Sequence, residues 1–154
     1  MDVLIVSKND VCRSRIAQAL LLSFGKGIKV STAGVNPSNV IQESVVRQME
    51  TNGYEISVHP ASLVDDMAKK KWAYVITLCP EAEEAVDLLE IVCEYRKSFD
   101  FPDIFQSSSL NIQERIDNLY EIMFRALFNL WRDDLRDNIL PSCTCGANTF
   151  CRCE

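Results

Sequence analysis

Eight residues near the amino end, Ser7-Lys8-Asn9-Asp10-Val11-Cys12-Arg13-Ser14, have the types and spacing for oxyanion chemistry. Val3-Leu4-Ile5-Val6 precedes them and reads as a buried strand, and an amphipathic helix follows them. Such a loop aims backbone N–H groups and the positive end of the helix at one point. Arg13, in the first helical turn, adds a guanidinium that grips an anion through two parallel hydrogen bonds. The expected ligand is a small oxyanion or a phosphorylated group, and the loop needs no cofactor to hold it. Cys12 lies at the start of the helix, where a thiolate is favoured.

The elements that must position this loop alternate between strand and helix. Ile16, Ala17, Leu20, Leu21 and Phe24 recur at helical spacing. Gly25 and Gly27 stop that helix, and Ile28 to Thr32 reads as a second strand. Asn39 is expected to cap a helix over residues 40–51, with Ile41, Val45 and Met49 facing inward. Ser62 and Asp65 have the spacing of a capping box before a short helix. Tyr74 to Leu78 reads as a buried strand. Pro80 suits the first turn of a helix with Ala82, Val86, Leu89 and Cys93 on one face. A short fourth strand is expected at Phe99 to Phe101. The longest helix places Ile112, Ile116, Leu119, Met123, Leu127 and Leu130 in phase. This alternation implies an α/β fold of three layers, a doubly wound, four-stranded parallel sheet covered on both faces. Ligands in such folds bind at the carboxyl ends of strands, where Ser7 lies.

Composition narrows the partners. The chain has 154 residues, 47% of them apolar and 25% charged, as expected of one globular domain. The net charge of −6 argues against a nucleic-acid partner. No apolar run is long enough to span a membrane, and no signal peptide opens the chain, so a cytoplasmic protein is expected.

The loop resembles the phosphate loop of low-molecular-weight protein tyrosine phosphatases and thioredoxin-coupled arsenate reductases, which reads Cys-x-Gly-Asn-x-Cys-Arg-Ser. Ser31-Thr32-Ala33-Gly34, His59 with Ala61-Ser62, Val75-Ile76-Thr77-Leu78-Cys79 and Phe101-Pro102-Asp103 extend the resemblance over roughly the first 135 residues. It implies phosphate, arsenate or phosphotyrosine as ligand, with Asp103 rather than Asp100 as the general acid. It also places Ser7 where the family has its nucleophilic cysteine. Serine lacks the acidity of a thiol and needs an adjacent base, so catalysis is expected to be lost or impaired. The alternative is an active thiol enzyme, an arsenate reductase or phosphatase with a relocated cysteine nucleophile. In that reading Cys12 and Cys79 form the candidate redox pair. Two further departures matter. Asn9 replaces the loop glycine and is expected to tolerate a left-handed backbone. Asp10 replaces the asparagine, and its charge is expected to repel an anion, so that Asp10→Asn should tighten binding.

A phosphatase-like domain is expected over residues 1–137, followed by a Cys-rich tail over 138–154. Cys143, Cys145, Cys151 and Cys153 form two Cys-x-Cys pairs there. In a reducing compartment such a cluster points to a soft metal or metalloid such as Zn, Cu(I) or As(III). Metal content of the full chain, compared with a truncation at Pro141 purified under reducing conditions, checks this expectation. More metal in the full chain supports a tail site, and equal content removes it.

Overall fold

A computed structural model of the protein describes residues 1–38, 40–105 and 111–139. The four tail cysteines and Asn39 lie outside the described residues. Four parallel strands, β1 (Asp2–Ser7), β2 (Lys29–Gly34), β3 (Trp72–Thr77) and β4 (Cys93–Ser98), form one sheet in the order β2-β1-β3-β4. Helices α1 (Arg13–Phe24), α2 (Glu43–Thr51) and α5 (Ile112–Leu130) cover one face. Helices α3 (Val64–Met67) and α4 (Pro80–Leu88) cover the other. Strand β1 sits in the middle of the sheet, so alternate residues feed both cores. Val3 and Ile5 pack with α1, α2 and α5, whereas Leu4 and Val6 pack with α3 and α4. All four are fully buried, which fixes where the strand ends and therefore where Ser7 stands.

Helix α5 shows why its length was readable. Asn111 caps it by accepting the Glu114 N–H at 2.8 Å, and Ile116, Leu119, Met123, Leu127 and Leu130 are buried along one stripe. A π-helical turn over Trp131–Leu135 continues into a short α6 (Arg136–Ile139), two residues beyond the expected domain edge.

Several boundaries differ from expectation. The fourth strand is Cys93–Ser98, not Phe99 to Phe101; the two phenylalanines stack on each other just after it. Cys93 is therefore a half-buried strand residue rather than part of a helical core stripe. Helix α4 stops at Leu88 because Glu90 adopts a left-handed backbone, φ 51°, that turns the chain out of the helix. Helix α2 starts at Glu43, with Gln42 as its N-cap. Leu63, not Ser62, precedes α3, and no side chain caps that helix. The expected capping box fails because the Ser62 backbone is engaged elsewhere, on the loop after β1.

Candidate functional site

The loop between β1 and α1 is braced from its outer side. Backbone N–H groups of Val35, Asn36 and Ser38 donate to the carbonyls of Ser7, Lys8 and Asn9 at 2.8–3.1 Å. The Arg15 side chain takes the Asp10 carbonyl at 3.0 Å. Four consecutive carbonyls are thus bound to the surrounding scaffold. Gly34, at the end of β2, makes this possible. A Cβ there would stand 3.0 Å from Asn9 C and Asp10 N, so a side chain would press on the loop backbone.

Asp10 holds the turn, and its geometry reverses two expectations. The left-handed residue is Asp10, at φ 54°, not Asn9. Its carboxylate does not face a ligand. It accepts from Ser14 Oγ at 2.8 Å and from Ser62 N at 3.0 Å, and it pairs with the Arg15 guanidinium at 3.5 Å. Asp10 and Arg15 are both fully buried. Its charge is therefore neutralised behind the loop, and removing it by Asp10→Asn would leave a buried arginine without its counter-ion. No tightening of anion binding is expected from that change.

In front of the loop a small pocket is lined by Ser7, Asn9, Asp10, Val11, Cys12, Arg13, Asp103 and Phe105. Ser7 Oγ, 2% exposed as a residue, accepts the Asp10 N–H at 3.1 Å. Arg13 Nη1 donates to the Phe101 carbonyl at 2.9 Å. That bond ties the loop to the Phe101–Phe105 segment and orients a guanidinium whose remaining donors can serve an anion. Asp103 lines the pocket, with Oδ1 accepting the Phe105 N–H at 2.9 Å, whereas Asp100 is exposed and does not line it. Lys8 points to solvent, and Ser14 is buried on Asp10, so neither lines the pocket.

The thiols behave differently from expectation. Burial pushes the Cys12 thiol up to about 12, against the weaker pull of Arg13, so it is a neutral thiol at physiological pH. Position at a helix start does not overcome desolvation here. Cys79 is also buried and pushed up by burial. Cys12 packs in the core of α1, Cys79 in the core of α4, and both are free thiols.

His59 sits behind the loop. Its ring nitrogens face Ser57 and Thr32, and Ser57 in turn offers its carbonyl to Arg15 at 3.4 Å. Burial first, and the Arg15 charge second, hold its imidazole below the ordinary value. The unfolded chain takes up this proton near the ordinary imidazole value of 6.5, whereas the folded chain resists it. The associated stability is present above that value and is lost as pH falls through the lower folded value. Urea unfolding of wild type and His59→Gln, between about pH 7 and pH 5, should show a shallower acid loss in the variant. Parallel curves would remove His59 from the account.

These features define a class: a parallel α/β protein whose first strand ends in an arginine-bearing, braced loop beside a small pocket. The chain belongs to the low molecular weight phosphotyrosine protein phosphatase family, whose model matches residues 2–130. No curated protein sequence gives a significant match. Among solved structures, a mutant YwlE arginine phosphatase with a phosphorylated active-site serine is 21% identical, with a TM-score of 0.64, over 88% of this chain and 99% of that one. An arsenate reductase in the phosphate-binding state is 23% identical, with a TM-score of 0.63, over 84% and 95%. The tyrosine phosphatase Wzb from Escherichia coli K30, in complex with sulphate, is 22% identical, with a TM-score of 0.66, over 87% and 97%. These likenesses establish the fold. Among the described residues, no helix is long and apolar enough to cross a membrane.

Proposed function

We propose that this protein binds a small oxyanion or a phosphorylated ligand on the loop Ser7–Ser14, in the cytoplasm, with turnover lost or far below that of its family. The observation that carries the reading is Ser7 at the base of the pocket, its Oγ accepting the Asp10 N–H. The loop around it is bound to the scaffold, while the atom at the expected nucleophile position is a hydroxyl. Arg13 and the N–H groups of the loop supply the binding; Asp103 stands in the pocket as the candidate proton donor to a leaving group. Three structurally similar proteins support the reading by the groups they carry: one is in a phosphate-binding state, one is in complex with sulphate and one has a phosphorylated active-site serine.

A thiol enzyme with a relocated nucleophile is the second reading. The buried, neutral Cys12 and the separation of Cys12 from Cys79 in different cores count against it.

Calorimetric titration with inorganic phosphate, sulfate and arsenate tests the proposal. Wild type should bind at least one of them. Arg13→Lys should weaken binding by about tenfold or more, because lysine cannot reproduce the bidentate geometry. Binding unchanged in Arg13→Lys, or no binding in wild type, would overturn the proposed site.

A further inference from the structure

We infer that Arg115 is a positioning residue for Asp103, acting through the one peptide unit that joins Ile104 to Phe105. Its role rests on the reading above, with Asp103 as proton donor to a ligand held by the loop.

Arg115 stands on α5 and does not line the pocket. Its Nη1 donates to the Ile104 carbonyl at 2.6 Å. The N–H of the same peptide unit, on Phe105, donates to Asp103 Oδ1 at 2.9 Å. One rigid plane therefore carries a guanidinium at its oxygen end and the Asp103 carboxyl group at its N–H end. A carbonyl that accepts from a cation polarises its own N–H, and bonds linked in this way strengthen one another. With Oδ1 occupied, Oδ2 is the oxygen left to carry a proton to the ligand.

Other anchors hold the segment without setting this plane. The Phe101 N–H donates to the Leu78 carbonyl at 3.0 Å, and the Phe101 carbonyl accepts from Arg13 at 2.9 Å. Both bonds lie two residues before Asp103, and Arg13 must also serve the anion. The Ile104 side chain is buried in the core, which fixes its position but not the rotation of the peptide that follows. Asp103 is half-buried and Phe105 is exposed, so packing does not orient either of them tightly. The Arg115 bond grips the 104–105 plane itself and leaves the Arg13 donors to the ligand. Its own base is firm: Asn111 caps α5, and the Arg115 N–H donates to the Asn111 carbonyl at 3.1 Å.

The test is made on the full chain and has two arms. Backbone-amide NMR of wild type, Asp103→Ala, Arg115→Met and Arg115→Lys follows the Phe105 N–H. Arg115→Met should move that amide upfield, toward its place in Asp103→Ala. Arg115→Lys keeps a cationic donor and should hold it near wild type. The second arm measures hydrolysis on the Ser7→Cys background. There Arg115→Met should lower kcat for phenyl phosphate, a poor leaving group, by about tenfold or more. It should lower kcat far less for p-nitrophenyl phosphate, whose leaving group needs no acid, with little change in KM for either ester. Arg115→Lys should recover much of the loss. A Phe105 amide that ignores Arg115→Met or Asp103→Ala overturns the inference, as does an equal loss of kcat with the two esters. If Ser7→Cys is inactive, the amide arm decides. If Arg115→Met does not fold, Arg115→Gln replaces it, with a smaller upfield shift expected and an unmoved amide contradicting the link. Phosphate titration of wild type separates the two readings. A chain that binds no phosphate yet shows the linked Phe105 shifts loses the oxyanion site and keeps the Arg115–Asp103 link. One that binds phosphate without those shifts loses the link alone.

Discussion

Ser7→Cys is expected to raise steady hydrolysis of p-nitrophenyl phosphate by on the order of 10³-fold or more. The expectation follows from one atom. Replacing a hydroxyl by a thiol gives a nucleophile that ionises far more readily and a leaving group that departs as thiolate. The proposed site keeps its other parts: Arg13 tied to Phe101, Asp103 in the pocket, and a loop whose carbonyls are bound from outside. Turnover should be blocked again by a second change, Arg13→Lys, on the Ser7→Cys background. If Ser7→Cys gains no activity while still binding phosphate, then Ser7 is not at the nucleophile position. If wild type already turns over at ordinary enzyme rates, the loss of catalysis is refuted directly.

The second large effect falls on stability. Arg15→Met should cost about 3–5 kcal/mol, because it leaves the Asp10 carboxylate buried without its partner. At this chain length, that lowers the melting temperature by roughly 10 °C. The pair sits behind the loop, so the damage should also reach the pocket: phosphate affinity should fall in those variants that remain folded. The double variant, Asp10→Asn with Arg15→Met, should recover much of the loss, because neither charge is then stranded. Thermal unfolding of the two single variants and the double variant measures this coupling. Additive losses would show that the two residues do not stabilise each other.

What the sequence disclosed and what it hid have physical causes. The fold class was legible because β1 and β3 are runs of buried residues, and helices such as α5 show a clean apolar stripe. The edge strand was not. Cys93–Ser98 carries Glu94, Arg96 and Lys97, all exposed, and offers no apolar pattern. Phe99 and Phe101 drew the reading because they are apolar, although they pack as a stacked pair after the strand. The loop itself was legible from its position between strand and helix. The role of Asp10 was not, because the sign of its effect depends on one dihedral angle. At φ 54° its carboxylate turns inward to Arg15, Ser14 and Ser62 instead of outward to the anion. Asp10 and Arg15 are opposite charges five residues apart, but nothing in their spacing says that both are buried. Gly34 gave a signal of another kind, a glycine ending a strand, whose reason is the approach of Asn9 and Asp10 to its missing side chain. Cys12 shows the same limit. Its place at a helix start argues for a thiolate, and only its burial decides otherwise.

The most direct test of the central claim is backbone-amide NMR of the full chain during titration with inorganic phosphate. Shifts should concentrate on the amides of residues 8–14 and at Asp103 and Phe105. They should saturate with a single affinity and be greatly reduced in Arg13→Lys. Shifts that centre instead on a separate cleft lined by Lys97, Phe99, Asn129 and Asp133, or that leave residues 8–14 unmoved at saturation, would contradict the account.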